Sequence, residues 1–440
     1  MTLTEAQQEI VDLIEQTSSN YLIHGKPGVG KSVLIRSLIE SGKKFYTLSA
    51  PTGLAALNIE GRTLHSIFRL PISQGIIEES YNNFTLDDRT LNFIRFRIKH
   101  LIIDEVSMVR ADTLDYVDRL LRHVKNTDEP FGGVQVILVG DFFQLPPIVR
   151  REEEFQFKNC GYKSPFAFDA KCFKGNFKVL QLNEVLRQKG DDWFIRFLHG
   201  ARSGKLTKEQ INIVNKTCVK EPEEFQIQLT GTNKQADEIN TKELNKIDSS
   251  LEVFIGEVFG EWPALPAEKE LQLKVGAQVM IKMNGSDRPP GHRGEWESNV
   301  VNGTIGKVLE IRRAGDSIET RTSVDSVVVE LEDGTSVTIY RRRWERKIKY
   351  KNEEGKWEEK VVASYEQIPL SLAWAISMHK SQGQTFDRVH IDASKIFAPG
   401  QLYVAISRCR TLKGISLQNP VDTKKFWANL HVIRFNEEIE

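Results

Sequence analysis

The sequence predicts an α/β fold in which mostly parallel sheets carry helices on both faces. Short apolar runs recur along the chain, at residues 21–23, 101–103 and 136–139, and each ends in a polar or glycine-containing turn. These runs are continuous rather than alternating, which is typical of strands buried on both faces of a parallel sheet. Helical patterns separate them, and strands that alternate with helices indicate an α/β architecture.

Changes in this pattern divide the chain into domains. A first α/β domain is predicted over residues 1–178, interrupted at about 68–98 by a polar, turn-rich insertion. A second is predicted from residues 179–276 and 366–440, beginning with an apolar run at 179–182. Between its two parts, residues 277–365 alternate valine-rich stretches with turns such as Asp333-Gly334, a pattern typical of an all-β module.

Composition leaves the function open. The 440 residues include 60 basic and 60 acidic side chains, so a nucleic-acid site would have to be a local groove rather than a basic surface. The four cysteines form no C-x-x-C pair, which favours reduced thiols over a zinc site or disulfides. No signal peptide or membrane-length apolar segment is evident. We therefore expect a soluble, cytoplasmic protein.

The clearest chemical motif is a glycine-rich loop between an apolar run and a helical pattern: Gly25-Lys26-Pro27-Gly28-Val29-Gly30-Lys31-Ser32. It matches G-x-x-x-x-G-K-[ST], in which backbone N–H groups surround phosphates at a helix N-terminus. We expect Gly28, Val29 and Gly30 to line the phosphates. Lys31 would reach the β- and γ-phosphates, and the Ser32 hydroxyl would bind Mg²⁺. The loop thus predicts ATP and Mg²⁺ as ligands, against the alternative of a chance glycine-rich turn.

Two adjacent acids, Asp104 and Glu105, follow the apolar run at residues 101–103. Two charges at the end of a buried strand are costly unless they are used. Asp104 is predicted to hold Mg²⁺ and Glu105 to polarise the attacking water. A solvated turn after a strand is the alternative, and it explains one acid better than two.

Three further residues complete a candidate hydrolysis site. Gln144 follows the apolar run at 136–139 and is a candidate sensor of the γ-phosphate. Arg187 and Arg408 both fall in the second predicted α/β domain. Arginines delivered from a second domain would make hydrolysis depend on domain closure. Each arginine taken alone is equally typical of a surface ion pair.

The order of these motifs resembles that of superfamily-one helicases. It comprises residues 3–7, the glycine-rich loop, residues 50–53, the acid pair, residues 140–144, Arg187, residues 378–385 and residues 403–408. A further stretch, residues 118–122 leading into Pro130-Phe131-Gly132-Gly133-Val134-Gln135, is similar to the signature segment of the PIF-one family of 5′→3′ DNA helicases. This resemblance covers nearly the whole chain.

The resemblance implies two RecA-like P-loop domains with parallel sheets and small inserted accessory domains, one of them an SH-three-like β-barrel. It implies 5′→3′ translocation on single-stranded DNA and unwinding of forked or tailed duplexes and of G-quadruplexes, by a monomer that can dimerise on DNA. In such an enzyme Gln7 would read the adenine, although Thr4 and Gln7 also match a helix capping box. Gln144, Arg187 and Arg408 would contact the γ-phosphate, and Gln384 would belong to the nucleotide site.

Single-stranded DNA would lie along a groove lined by hydroxyls, cations and aromatic rings. The resemblance gives ten candidate contacts: Pro51, Thr52, Gly53, Thr63, His65, Thr232, Asn233, His379, Lys380 and Ser381. His65 alone would more often be a structural histidine, but residues 63–68 are similar to a DNA-contact motif of the family, which makes DNA binding an equal expectation. The basic run at residues 341–351 is compatible either with phosphate contact or with a solvated hairpin.

Two alternatives remain at this stage. One is a superfamily-one motor with the opposite polarity or an RNA substrate. The other is a P-loop binding module or regulatory switch without translocation. The candidate residues in a second motor-like domain argue against the switch.

Overall fold

The computed structural model describes residues 3–70, 86–182, 191–262, 265–283, 300, 302–314, 325–351 and 357–439. Its contacts divide the chain into two compact units. The first comprises Met1–Lys216, Ile396–Thr411 and Val421–Glu440, and the second comprises Thr217–Lys395 and Leu412–Pro420. Each unit contains a parallel sheet of its own.

The first unit is built on a six-stranded sheet in which every pair of neighbours is parallel. Its strands are β1 Asn20–Gly25, β2 Tyr46–Ala50, β3 Arg62–Thr63, β4 His100–Ile103, β5 Gln135–Gly140 and β6 Phe177–Leu182, in the order β3-β2-β4-β5-β1-β6. Its helices up to the unit boundary are α1 Glu5–Gln16, α2 Lys31–Glu40, α3 Gly53–Asn58, α4 Leu64–Phe68, α5 Asp88–Arg97, α6 Ala111–Lys125, α7 Arg151–Asn159, α8 Asp192–Ser203 and α9 Lys208–Cys218.

The central strands of this sheet are buried on both faces. Every residue of β5 is buried, as are the last five of β1 and the last three of β4. Ile10 and Ile14 of α1 and Leu34 of α2 pack with alternate residues of β1, β4 and β5 in one apolar cluster. The continuous apolar runs in the sequence follow from this double burial, and the predicted α/β class is confirmed.

One predicted boundary is corrected by the sheet. The apolar run at residues 179–182, expected to begin the second α/β domain, belongs to β6 and pairs in parallel with β1 over six residue pairs. A continuous apolar run fits a buried parallel strand of any sheet, so the pattern could not assign this one. As a result, the residues up to Lys216 group with the first unit.

The family signature at residues 130–135 forms a tight corner between α6 and β5. Phe131 is fully buried with φ of 54°, and its N–H donates to Asp118 Oδ1 of α6 at 2.6 Å. The side-chain amide of Gln135 donates to the carbonyl oxygens of Ile14, Thr17 and Ser19, at 3.2, 3.0 and 2.9 Å. This signature therefore fastens the end of α1 to the start of β5.

The second unit combines a four-stranded parallel sheet with antiparallel sheets. The parallel strands are β7 Ile227–Thr230, β18 Ala375–Ser377, β19 Val389–Ile391 and β20 Ile415–Leu417, in the order β18-β7-β19-β20. Helix α10, Asn233–Asn245, follows β7. It is fixed to β18 by the buried amide of Asn240, which donates to the Ala375 carbonyl at 2.9 Å and accepts from its N–H at 2.8 Å.

The antiparallel strands occupy the chain between β7 and β18. They are β8 Glu252–Ile255, β9 Glu257–Phe259, β10 Glu270–Leu273, β11 Gln278–Ile281, β12 Ile305–Arg312, β13 Ser326–Leu331, β14 Ser336–Tyr340, β15 Arg342–Lys351, β16 Trp357–Gln367 and β17 Leu370–Leu372. Five of them form the sheet β14-β13-β12-β11-β17. The predicted β-rich insert is thus present but extends beyond residues 277–365 on both sides. The barrel implied by the resemblance stays a prediction.

Two C-terminal helices return to the first unit: α11, Gln401–Ser407, and α12, Leu430–Ile439. In α12, Phe435 stacks on Phe168 with ring centroids 4.4 Å apart and meets Phe142 edge-on. Of the insertion predicted at about 68–98, the structure describes α5, while residues 71–85 lie outside the described residues. Over the described chain, no helix combines the length and apolar character needed to cross a bilayer.

Replacing Gly132 with alanine should destabilise the first unit more than the same change at Gly161. Both glycines have positive φ, +63° and +81°. A Cβ at Gly132 would lie 2.6 Å from the Leu121 carbonyl oxygen, whereas one at Gly161 would meet nothing within 4 Å. We expect Gly161→Ala to cost about 1–2 kcal/mol from backbone strain alone, and Gly132→Ala about 2–5 kcal/mol. Urea denaturation monitored by circular dichroism compares them; equal losses would contradict the proposed clash.

Candidate active site

The glycine-rich loop joins the end of β1 to the start of α2, as the sequence predicts. Gly28 and Gly30 both have φ of +82°, a conformation that residues with side chains rarely adopt. Lys31 is the first residue of α2, and its ammonium group donates to the carbonyl oxygens of Gly25 at 2.7 Å and Lys26 at 2.9 Å. The lysine is therefore held over its own loop, at a helix N-terminus suited to an anion.

Gln7 connects α1 to this loop. Its side-chain oxygen accepts from the Thr4 N–H at 3.0 Å and completes the capping box of α1. Its Nε2 donates to the Val29 carbonyl at 3.1 Å, and only 2% of the residue is exposed. The helix-capping interpretation of Gln7 is thus correct, and a second contact positions the phosphate loop.

The acid pair lies at the carboxyl end of β4. Asp104 Oδ1 accepts from the Glu105 N–H at 2.9 Å, and the Asp104 N–H donates to the Ser49 carbonyl of β2 at 2.9 Å. Burial, reinforced by the neighbouring charge of Glu105, raises the pKa of Asp104 to about 7 against the opposing effect of Lys31. This carboxylate therefore lies where a nearby cation is needed to keep it ionised.

Glu105 adopts a backbone conformation that is unusual for its type. Its φ and ψ are 51° and 45°, in the left-handed region, which costs about 1–2 kcal/mol for a residue with a side chain. Its Oε2 is buried and has no hydrogen-bond partner among the described residues. A strained residue that presents an unsatisfied carboxylate oxygen is characteristic of a functional site.

Gln144 follows β5, the next strand of the sheet. Its N–H donates to the Asp141 carbonyl at 2.9 Å, so residues 141–144 form a tight turn. The side chain is 4% exposed, and its Oε1 has no hydrogen-bond partner within the described part of the chain. Because β4 and β5 are parallel neighbours, Glu105 and Gln144 both follow strands at the same edge of the sheet.

Arg408 lies in the first unit, which corrects its predicted assignment to the second domain. It caps α11 and is 2% exposed. Its guanidinium group donates to the Val404 carbonyl and to Ser407 Oγ, each at 3.2 Å. Burial lowers the pKa of Arg408, while the negative charge of Glu105 opposes that shift. Contacts with residues that are distant in the sequence determine where Arg408 lies, and a local motif does not reveal such contacts. Arg187 lies outside the described residues.

Behind Gln144 is a buried ionic network that the sequence analysis missed. Asp141 is fully buried, and its Oδ1 lies 3.1 Å from Arg202 Nη2 of α8. Its Oδ2 accepts from the Tyr403 hydroxyl of α11 at 3.2 Å. His24 Nε2 of β1 lies 3.5 Å from Asp141 Oδ1 and 2.8 Å from Arg202 Nη2. Burial raises the pKa of Asp141, but the charges of Arg202, His24 and Lys31 outweigh it and the net shift is downward.

Three of the predicted DNA contacts serve as helix N-caps. The hydroxyls of Thr52, Thr63 and Thr232 accept N–H bonds at the starts of α3, α4 and α10, at 3.2, 3.2 and 3.3 Å. These caps keep their helix N-termini ordered, and such ends suit phosphate groups. In the first unit Pro51 and Gly53 flank Thr52, and His65 is exposed on α4.

The remaining DNA candidates lie in the second unit and differ in exposure. Asn233 and Lys380 are exposed, and His379 is half-buried. Ser381 is fully buried, with its hydroxyl donating to the Met378 carbonyl at 2.8 Å, so its side chain faces the interior. Gln384, predicted for the nucleotide site, is 8% exposed and its Oε1 lacks a hydrogen-bond partner among the residues described.

The sheet order and the loop between β1 and α2 define a P-loop nucleoside triphosphatase fold of the RecA-like α/β type. Comparison with known proteins identifies the family. The family model described as PIF1-like helicase matches residues 2–211. The ATP-dependent DNA helicase Pif1 of Bdellovibrio bacteriovorus is 31% identical over 426 residues, covering 94% of this chain and 87% of that protein.

Solved structures agree over the whole length. Bacteroides sp Pif1 in complex with ADP-AlF4 has 32% identity and a TM-score of 0.84, covering 100% of this chain and 97% of that one. Bacteroides Pif1 bound to ssDNA has the same identity and coverage, with a TM-score of 0.68. The chain belongs to the PIF1-like helicase family, and the resemblance in the sequence is confirmed. It spans 54%, 64% and 61% of the longer PIF1 proteins of Candida albicans, Danio rerio and Saccharomyces cerevisiae.

Gln7→Glu separates the two roles of this side chain. An ionised glutamate can still accept the Thr4 N–H in the capping box, but it cannot donate to the Val29 carbonyl and places a buried negative charge beside that oxygen. Losing one hydrogen bond to the loop should raise the KM for ATP about three- to tenfold. The control, Thr4→Ala, removes the cap acceptor and should leave KM nearly unchanged. Steady-state kinetics compare them, and equal increases in KM would mean that only the helix position matters.

Proposed function

We propose that this chain is an ATP-dependent DNA helicase that translocates 5′→3′ along single-stranded DNA and unwinds duplex DNA. The observation that carries the proposal is that Glu105 Oε2 and Gln144 Oε1, which follow adjacent parallel strands, are both buried without a hydrogen-bond partner among the described residues. A carboxylate and an amide oxygen in this position can orient and polarise an attacking water molecule. A binding module without turnover has no use for either group.

Each residue of the site has a task in this proposal. Lys31 leaves the loop carbonyls to bind the β- and γ-phosphates of ATP, and Glu105 accepts a proton from the attacking water. Gln144 orients the water and responds to the γ-phosphate. Arg408, whose charge interacts with that of Glu105, stabilises the negative charge that develops on the phosphoryl group. Arg187 is proposed for the same purpose from its motif, and Gln384 as a further nucleotide contact.

The residues available also suit Mg²⁺. Ser32 supplies a hydroxyl next to Lys31, and Asp104 supplies a carboxylate whose pKa is raised by burial to about 7. Hydroxyl and carboxylate oxygens are the ligand types that Mg²⁺ prefers. When bound, Mg²⁺ would neutralise charge on the β- and γ-phosphates.

We propose that single-stranded DNA and forked or tailed duplexes are the substrates. Bacteroides Pif1 has been crystallised bound to ssDNA, and a second solved structure concerns DNA unwinding at forked dsDNA by two coordinating Pif1 helicases. In this chain the contacts are assigned to Pro51, Thr52, Gly53, Thr63 and His65 of the first unit and to Thr232, Asn233, His379 and Lys380 of the second. Ser381 is retained as a residue that shapes the backbone around Lys380. Unwinding of G-quadruplexes and the action of a monomer belong to the same proposal.

Glu105→Gln should bind ATP normally but hydrolyse it slowly. Removing the general base lowers kcat by about 10²–10⁴-fold, with KM changed little because phosphate binding is retained. Glu60→Gln is a matched control, since Glu60 is an exposed glutamate with nearly the same backbone conformation, φ of 55° against 51°. Phosphate-release kinetics measure the effect. Near-normal hydrolysis by Glu105→Gln would remove this residue from its assigned role.

The substrate and polarity are tested with tailed duplexes. A 5′-tailed DNA duplex should be unwound in the presence of ATP, whereas 3′-tailed DNA and 5′-tailed RNA should not. Single-stranded DNA should stimulate ATP hydrolysis strongly, and Lys31→Ala should abolish both activities while retaining the wild-type circular dichroism spectrum. Unwinding only from a 3′ tail would indicate the opposite polarity. ATP hydrolysis without DNA stimulation would indicate a switch rather than a motor.

A further inference from the structure

The two groups proposed to act on the γ-phosphate, Gln144 and Arg408, are joined through one carboxylate. Asp141 begins the turn that ends at Gln144, and its backbone carbonyl accepts the Gln144 N–H at 2.9 Å. Its side chain accepts the hydroxyl of Tyr403 at 3.2 Å, on the helix that ends at Arg408. Gly400 caps the start of the same helix, and a Cβ at this glycine would collide with the Phe143 carbonyl oxygen. The turn and α11 are therefore in direct contact.

Arg202 holds this carboxylate from a third element, α8. Its Nε and Nη2 lie 3.2 and 3.1 Å from Asp141 Oδ1, and its guanidinium carbon lies 4.0 Å from the centroid of the Phe143 ring. Only 8% of Arg202 is exposed, and Asp141 is fully buried. A planar guanidinium can contact a carboxylate and stack on a ring at once, which an ammonium group cannot do.

A buried pair of this kind is an expensive way to stabilise a fold. Desolvation of both charges offsets most of their attraction, so well-packed apolar residues often serve stability as well. The pair instead fixes the orientation of the Asp141 side chain, because four hydrogen-bond donors hold its carboxylate in a single position. Those donors are the two Arg202 nitrogens, the Tyr403 hydroxyl and the Phe143 N–H, the last at 3.2 Å from Asp141 Oδ1.

We propose that Arg202 is a positioning residue for ATP hydrolysis, which fixes Gln144 and Arg408 relative to each other through Asp141 and Tyr403. Arg202 does not itself act on the nucleotide in this proposal. It sets the geometry in which the sensor amide and the arginine act together. The proposal rests on the ATP-hydrolysing part of the proposed function and is independent of DNA polarity.

The test compares Arg202→Lys with a matched control, Arg110→Lys. Arg110 is a partly buried arginine of the first unit. It lies 2.9 Å from Asp112 Oδ2 and 3.1 Å from Glu153 Oε1, and its guanidinium carbon is 4.9 Å from the Phe157 centroid. Both variants keep the charge and lose the two-point contact and the stacking. Their thermal stabilities should therefore fall by similar amounts.

Only Arg202→Lys should change catalysis. Small displacements of catalytic groups reduce turnover steeply, so we expect kcat for ATP to fall about 10- to 100-fold, with KM within about threefold of wild type. Arg110→Lys should keep kcat within about twofold of wild type, because no catalytic group depends on that pair. Equal losses of kcat in both variants, or a change confined to KM, would overturn the proposal.

Tyr403→Phe provides a second, milder measurement. It removes only the hydroxyl bond to Asp141 and keeps the ring, so the protein should fold even if Arg202→Lys does not. We expect kcat to fall about tenfold, and the double variant to lose less than the product of the single losses, since both act through one carboxylate. An unchanged kcat in Tyr403→Phe, or strictly multiplicative losses in the double variant, would contradict the proposed linkage.

The outcomes separate this proposal from the proposed function. A wild-type protein that hydrolyses ATP but unwinds no tailed duplex would reject the helicase assignment and leave the comparison of variants intact. A protein that unwinds DNA with equal kcat in wild type and Arg202→Lys would reject only the role of Arg202.

Discussion

The candidate hydrolysis site depends on one carboxylate that has no access to solvent. Asp141 directly follows the central strand β5, and its negative charge is stable there because Arg202, Tyr403 and His24 surround it. Those partners belong to α8, α11 and β1, so this one carboxylate contacts three elements that are far apart in the sequence. The turn that holds Gln144 and the helix that precedes Arg408 are built around it. Without this pairing, the burial of Asp141 would be prohibitive.

In the first unit, the residues that stabilise the fold and those that form the candidate site occupy different positions along the strands. The middle of each strand is buried on both faces, which gives the sheet its stability. The carboxyl ends of β1, β4 and β5 carry the loop, the acid pair and the turn of Gln144. Positive-φ backbone occurs there as well, at the loop glycines, which adopt it freely, and at Glu105, where it is strained. The sheet can hold the strained conformation of Glu105 in place, because it keeps the ends of its strands in fixed register.

Much of this arrangement could be predicted from the sequence, because the signals are local. The loop from Gly25 to Ser32, the acids at 104–105 and the turn of residues 141–144 each follow an apolar run within one or two residues. The carboxyl ends of parallel strands share one edge of the sheet. The partners of Asp141 could not be predicted, since Arg202 lies 61 residues away and Tyr403 lies 262 residues away, with no motif joining them. One signal was present: an acid at the end of a buried strand requires a cation. The sheet to which β6 belongs could not be predicted either, and neither could the unit that contains Arg408. Both depend on long-range contacts of this kind.

The left-handed backbone of Glu105 has a consequence for how this position can change over time. Glycine and asparagine adopt such a conformation more easily than glutamate, so either would relax the main chain while removing the carboxylate. Substitutions that raise the stability of the fold at this position would therefore also remove the carboxylate proposed to activate water. A glutamate at this position therefore costs backbone energy that a purely structural turn would not require.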